Sequence, residues 1–307
     1  MVVAVLAIVG PTAVGKSAAA LSIAHTLGGS QAWEIIGADA MQLYRGMDIG
    51  TAKVTLDERA GIAHHQIDVL DISEDASVAA YQRHAREDLD GIVSRGRMPL
   101  LVGGSGLYIS AVLDRIDFPG SDLDVRARLE QECERDGAEA MHARLRRIDP
   151  RSAEVIDPRN VRRVIRALEV NEVSGHSFQP VFPRHTSHYP DTVVVGLEMS
   201  MEELHARIEA RTRLMMSGGL LEETQALRER GLDDAPTARM ATGYREALAV
   251  LDGTMTTSEA EAAISAATRR LVKKQYTWFR RDPRIQWIPA GDGVEERLGE
   301  LVSRIVE

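Results

Sequence analysis

Gly10-Pro11-Thr12-Ala13-Val14-Gly15-Lys16-Ser17 lies between an apolar run over 2–9 and an alanine-rich run over 18–27. It fits G-x-x-x-x-G-K-[ST], the pattern of a loop that wraps phosphate groups at a helix start. The flanks supply the strand and the helix that the pattern requires. Backbone N–H groups at such a turn point at one spot, where the helix dipole favours negative charge. Lys16 adds a mobile positive charge, and Ser17 offers a hydroxyl to a magnesium ion. A polyphosphate ligand is therefore expected. The fold is constrained as well, because a strand this apolar belongs inside a parallel sheet.

Strand and helix alternate through the first hundred residues. The pattern predicts a helix over 16–27, stopped by Gly28-Gly29, and a strand over 34–38 that ends at Asp39. Ser77 opens a helix to about Arg95, and 98–102 is a strand ending in Gly103-Gly104. This alternation implies an α/β fold with helices on both faces of the sheet. From about Phe118 to Pro190 helices dominate instead, over 123–135, 138–147 and 161–173, before a looser stretch with Pro180, Pro183 and Pro190. A core of 1–117 and 191–307 interrupted by a helical insertion, 118–190, is expected. The chain returns to the sheet over 192–199. Ser200 with Glu203 forms a capping box for a helix over 201–216. Leu220 to Arg230 is a further helix. Ser258 with Glu261 repeats the capping pattern ahead of a long helix to about Arg280, and 285–288 is a last strand.

The 307 residues are 44% hydrophobic and 27% charged, as in an ordinary globular chain. The one cysteine, Cys133, excludes an internal disulfide and a cysteine-based zinc site, so a reducing, cytoplasmic setting is expected. No apolar stretch is long enough to span a bilayer. The apolar N-terminus lacks a basic flank and reads as the first core strand, not a signal peptide. No membrane partner is expected.

A formal net charge of −9 argues against nucleic-acid binding, but the distribution argues for it. Residues 144–166 hold eight arginines and three acids, a local net of +5. Residues 269–284 hold seven Lys/Arg and one acid, a local net of +6, with Tyr276, Trp278 and Phe279 among them. Basic groups interleaved with aromatics suit a single-stranded or loop RNA site. A solvated helix face whose aromatics pack inward would read the same way.

Four further features could carry chemistry. Asp39 and the phosphate loop both stand at carboxyl ends of strands, where open parallel sheets bind ligands. Asp39 is a candidate magnesium ligand or general base, or simply a turn cap. Gly103-Gly104-Ser105-Gly106 puts glycine where an ATPase of this class would carry a metal-binding Asp, which weakens an ATPase reading. Ser105 could touch a metal or a phosphate, or only form the turn. Arg211, in Arg207-Ile-Glu-Ala-Arg211-Thr-Arg213, could neutralise a leaving phosphate, although periodicity does not choose among the three arginines. His64-His65 resembles a metal pair, yet adjacent residues point apart and no carboxylate is spaced to complete a site.

Six motifs in order resemble the bacterial tRNA dimethylallyltransferase family over essentially the whole chain. They are Gly10 to Ser17, Ala38-Asp-Ala-Met-Gln-Leu-Tyr-Arg-Gly-Met-Asp-Ile-Gly-Thr-Ala-Lys53, Pro99-Leu-Leu-Val-Gly-Gly-Ser-Gly-Leu-Tyr108, Arg162-Arg-Val-Ile-Arg-Ala-Leu-Glu-Val170, Gly243-Tyr-Arg245 and Gln275-Tyr-Thr-Trp-Phe-Arg280. The resemblance implies a kinase-like phosphate-loop core with a helical insertion. It implies transfer of a dimethylallyl group from dimethylallyl diphosphate to N6 of the adenosine just 3′ of the anticodon. It implies that Asp39 is the general base, with Lys16 and Arg211 beside it in catalysis. Gly10, Pro11, Thr12, Ala13, Val14, Gly15, Lys16, Ser17 and Ser105 would hold the diphosphate, with Ser17 on Mg2+. Asp39, Ala40, Met41, Gln42, Ser105, Arg126, Arg162, Arg163, Arg166, Gly243, Tyr244 and Arg245 would contact tRNA. A monomer is expected. Two departures stand out: Ala40 replaces a serine common after the catalytic Asp, and Ser105 replaces a threonine but keeps the hydroxyl.

Three rivals share parts of this pattern. A small-molecule kinase on the same core would turn over ATP and need no basic blocks. An isopentenyltransferase acting on free adenine nucleotides would lack a use for the arginine-rich insertion. A non-catalytic RNA-binding protein would have no use for the phosphate loop beside Asp39.

Overall fold

The computed structural model describes residues 4–178 and 185–306. The chain runs through β1 (Ala4–Val9), α1 (Lys16–Thr26), β2 (Trp33–Ala38), α2 (Leu56–Arg59), β3 (His64–His65), α3 (Val78–Ser94), β4 (Met98–Gly103) and α4 (Gly106–Leu113). Then come α5 (Leu123–Asp136), α6 (Ala138–Ile148), α7 (Pro150–Val155) and α8 (Val161–Ser174). The last part holds β5 (Asp191–Glu198), α9 (Met201–Ser217), α10 (Leu220–Glu229), α11 (Tyr244–Leu251), α12 (Thr257–Phe279), β6 (Ile285–Pro289) and α13 (Val294–Val306).

Among the described residues, six strands form one parallel sheet in the order β3-β2-β4-β1-β5-β6. The strict alternation of strand side chains divides the core in two. Leu6, Ile8, Trp33, Ile35, Leu100 and Val102 face one cluster, with Ala20, Ile23 and Ala24 of α1. Val5, Ala7, Val9, Ile36 and Leu101 face the other, with Leu89 of α3 and Tyr108, Ile109 and Val112 of α4. So α1, which follows β1, and α4, which follows β4, leave adjacent strands for opposite faces. A crevice must open at the carboxyl ends between them, the usual ligand position in such sheets.

Contacts divide the described residues into two compact units, 4–114 with 185–306, and 115–178. An antiparallel bridge between Asp114 and Ser187 keeps 185–190 with the sheet, so the boundary falls earlier than the composition suggested. The second unit is α5 to α8 around Leu129, Met141, Leu145, Val164, Ile165 and Leu168. Its α7 was not expected, although Asp149 caps it and Pro150 stands at its first position, a recognised start signal. Pro180 and Pro183 lie outside the described residues.

The Ser200–Glu203 capping box is present. The second box is not the expected one: Thr256 and Glu259 cap α12, and Ser258 and Glu261 lie inside it. The buried stripe of α12 runs through Ala260, Ile264, Thr268, Val272, Gln275, Tyr276 and Phe279.

Candidate active site

The phosphate loop is held by its backbone. Gly10 has φ +145°, and a Cβ there would lie 2.7 Å from the Leu197 carbonyl oxygen, so no other residue fits the strand exit. Ala13 sits in the left-handed region at φ 68°. That costs about 1 kcal/mol, a local strain of the kind that collects at functional sites. Gly15, at φ 101°, turns the chain into α1. Lys16 Nζ donates to the Pro11 carbonyl at 2.7 Å, curling back over the loop. Burial and the neighbouring Arg211 lower its pKa and Asp39 raises it, for a net value of about 8.

A cavity of about 220 Å3 opens over the loop. Thr12, Ala13, Gly15, Lys16, Ser17 and Ala18 form its floor; Asp39, Gln42, Thr51, Ala52, Gly103, Gly104, Arg211 and Gln275 form its walls. The ends of β1, β2 and β4 thus converge with α9 and α12. Of the three candidate arginines on α9, Arg211 lines this cavity, and its Nη2 donates to Thr12 Oγ1 at 2.9 Å. Burial lowers the guanidinium pKa, and Asp39 partly offsets this. Asp39 Oδ1 accepts from the Met41 N–H at 2.9 Å, so the residue both forms the turn and faces the cavity.

Gln275 is a further wall residue, marked by no local pattern in the sequence. Its Oε1 accepts from the Thr12 N–H at 2.9 Å, and its Nε2 donates to the Gly104 carbonyl at 2.9 Å. A Cβ on Gly104 would lie 2.5 Å from that Nε2. Gly104 is therefore space for a carboxamide that ties the end of β4 to the phosphate loop. A second cavity of about 130 Å3 shares Thr12, Asp39, Thr51 and Arg211 with the first. Its other walls include the apolar Met41, Met215, Ala241, Ile264 and Leu271. Thr212, Thr242 and Thr268 complete it, so Asp39 stands where a cationic polar chamber meets one of mixed lining with an apolar side.

Other expected site residues are placed elsewhere. Gly10, Pro11 and Val14 are buried behind the loop and shape it. Ser105 opens α4 and is not among the residues lining either cavity. Gly243 and Tyr244 are buried, Tyr244 completely, so neither offers a surface to RNA; Arg245 beside them is exposed and pairs with Glu246. In the second unit, Arg126 and Arg166 both pair with the buried Glu169, and Arg166 also donates to the Pro119 and Gly120 carbonyls. These two arginines brace their unit, whereas Arg162 and Arg163 are exposed. On α12, Tyr276 and Phe279 pack inward and a Cβ on Gly106 would strike the Trp278 indole, so the aromatics are structural. Lys273, Lys274, Arg280 and Arg281 remain exposed.

His65 bonds Glu34 at 2.6 Å, and Glu34 is also gripped by Arg95 and Arg97. Burial pushes the Glu34 carboxyl up, but these partners hold it at about 2. No group of three or more His, Cys, Asp or Glu side chains could hold a metal among the described residues. In the first cavity the Ser17 hydroxyl and the Asp39 carboxylate are hard oxygen donors. They suit a dication that takes its other ligands from phosphate and water.

A family model described as IPP transferase matches residues 42–282. The tRNA dimethylallyltransferase of Streptomyces coelicolor is 48% identical over 303 residues, covering 99% of this chain and 96% of that protein. The crystal structure of a tRNA isopentenylpyrophosphate transferase from Bacillus halodurans superposes with a TM-score of 0.72 at 39% identity, covering 99% of this chain and 96% of that one. A eukaryotic dimethylallyltransferase caught acting on tRNA shares the fold, with a TM-score of 0.79 at 24% identity over 99% of this chain and 78% of its own.

Proposed function

The chain belongs to the IPP transferase family, and we propose that it moves a dimethylallyl group from dimethylallyl diphosphate to N6 of the adenosine just 3′ of a tRNA anticodon. It is a tRNA-prenylating enzyme. The observation that carries the finer reading is Asp39 at the junction of the two cavities, with Lys16 and Arg211 on one side and Met41, Met215, Ile264 and Leu271 on the other.

The chemistry follows from that junction. The C1–O bond of the donor breaks, and its electron pair leaves with diphosphate. The N6–C1 bond forms, and the N6 proton passes to the Asp39 carboxylate. Lys16, Arg211 and the start of α1 neutralise the departing diphosphate. Ser17 would hold a magnesium ion there, which when bound adds further charge neutralisation. The apolar side chains of the second cavity suit a hydrocarbon that takes on positive charge without water beside it. An adenine amino group reaches a site this deep only by leaving its stack, so the base is flipped.

Incubating the protein with dimethylallyl diphosphate or with ATP, plus bulk tRNA or AMP, and weighing the nucleosides tests this. The expected product is prenylated adenosine in tRNA only, with ATP neither hydrolysed nor required. Prenylated AMP would favour the free-nucleotide rival, and a phosphorylated acceptor the kinase.

Arg162→Ala with Arg163→Ala should weaken tRNA binding and flatten its salt dependence by about one unit of log–log slope per lost phosphate contact. Titrations at several salt concentrations measure both. Arg166→Ala should instead lower the melting temperature, because it strips a partner from Glu169. Unchanged affinity and slope in the double variant would pass the phosphate contacts to Lys273, Lys274 and Arg281.

A further inference from the structure

Residues 48–52 form a loop that walls both cavities through Gly50, Thr51 and Ala52. It is fastened from behind by one carboxylate. Glu223 Oε2 on α10 accepts from the Asp48 N–H at 3.0 Å and the Ile49 N–H at 2.8 Å. Glu223 Oε1 accepts from the Gly50 N–H at 3.3 Å and from the Tyr244 hydroxyl at 2.6 Å. The Tyr244 ring lies so close that a Cβ on Gly50 would sit 2.4 Å from its Cε2. On the cavity side, Gln42 Nε2 donates to the Thr51 carbonyl at 3.1 Å. Glu246 receives the Gly243 N–H at 2.8 Å and so fixes the entry to α11 and Tyr244.

No cation pairs with Glu223 among the described residues. A carboxylate whose partners are three consecutive loop amides and one phenol works by geometry, and its burden is the shape of that loop. Burial and the Glu223 charge keep the Tyr244 hydroxyl protonated, and therefore a donor.

We propose that Glu223 and Tyr244 are positioning residues for prenyl transfer: they hold 48–52 in register so that Thr51 and Gln42 set the wall opposite Asp39. This rests on the transfer reaction proposed above, and it replaces tRNA contact as the role of Tyr244.

Glu223→Gln and Tyr244→Phe, each in the full chain, test it. Glu223→Gln puts an amide donor against the loop donors; kcat should fall roughly 10- to 100-fold, the scale of a misplacement near 1 Å. Tyr244→Phe keeps the ring against Gly50 and removes one hydrogen bond; kcat should fall about 3- to 10-fold. In both, the KM for tRNA should stay within about threefold, the signature of a loss felt after binding. Glu223→Gln should also weaken binding of inorganic diphosphate severalfold, since Thr51 and Ala52 wall its cavity. That titration needs no tRNA, so it reports on the loop even if the acceptor proves wrong. Lower melting temperatures with unchanged kcat and unchanged diphosphate binding would overturn the proposal and leave a mere brace. A rise in the tRNA KM alone would overturn it in favour of RNA contact. If Glu223→Gln does not fold, Tyr244→Phe decides by the same readings.

Discussion

Asp39→Ala lowers prenyl transfer to tRNA by about 10²- to 10⁴-fold, the usual weight of a positioned general base. The adenine amino group is a poor nucleophile and must lose a proton as the C–N bond forms. Asp39 is the carboxylate lining both cavities. Alanine alone leaves an ambiguity, because Asp39 Oδ1 also accepts the Met41 N–H that shapes the turn. Asp39→Asn separates the roles: its amide oxygen keeps the turn bond and its basicity is gone. The asparagine variant should therefore be as inactive as the alanine one. Without added dication, inorganic diphosphate should bind either variant at least as well as the wild type, since an anion beside Lys16 and Arg211 has been removed. Single-turnover rates and a diphosphate titration provide the readings. An asparagine variant that keeps more than about a tenth of the rate would make Asp39 a turn former and not the base.

Local signals carried most of the core into view. A strand, a glycine turn and a lysine define the phosphate loop within eight residues, and Asp39 stands one residue beyond a strand. The second half of the site was hidden because it is assembled at long range. Gln275 meets Thr12 across 263 residues and Glu223 meets Ile49 across 174, and no local pattern marks either side chain. Arg211 could not be chosen over Arg207 or Arg213 until α9 was packed, since only the buried stripe through Leu204, Ile208 and Thr212 fixes which face looks inward.

Other differences have equally local causes. Helix α4 has buried residues from Tyr108 through Leu113, so it shows no amphipathic period to read. Strand β3 is two residues long, below any periodic signal. The two S/T-x-x-E boxes near the start of α12 are chemically equivalent, so the pattern alone does not choose between them. Tyr244 and the two bracing arginines show the limit of motif reasoning. Their residue types suit RNA contact, but a buried Glu169 without Arg126 and Arg166 would be an unpaired charge, and Gly50 would lose its platform without Tyr244.

Lys16→Ala carries the other large effect. Lys16 is a cation on the floor of the first cavity, and its Nζ donates to the Pro11 carbonyl. A diphosphate would offer it a charge-assisted bond in a low-dielectric pocket, where such bonds are strongest. The variant should lose about 10²- to 10³-fold in kcat/KM, the range for deleting one preorganised donor to a developing anion. The pH dependence identifies the cause. With the free lysine held near 8, mainly by burial, wild-type affinity for inorganic diphosphate should fall as pH rises through that value, because the neutral amine attracts no anion. In Lys16→Ala that step should vanish. Stability moves the other way. A lysine whose folded pKa lies below its unfolded one binds fewer protons when folded, so its contribution to stability rises between about pH 8 and the ordinary lysine range. At neutral pH the charged lysine, close to Arg211, is therefore a burden on the fold. The alanine variant should melt no lower than the wild type, and higher at pH 7 than at pH 10 relative to it. A protein that lost both activity and melting temperature would show Lys16 to be a structural tie of the loop. One that kept its affinity step near pH 8 would show that another group titrates there.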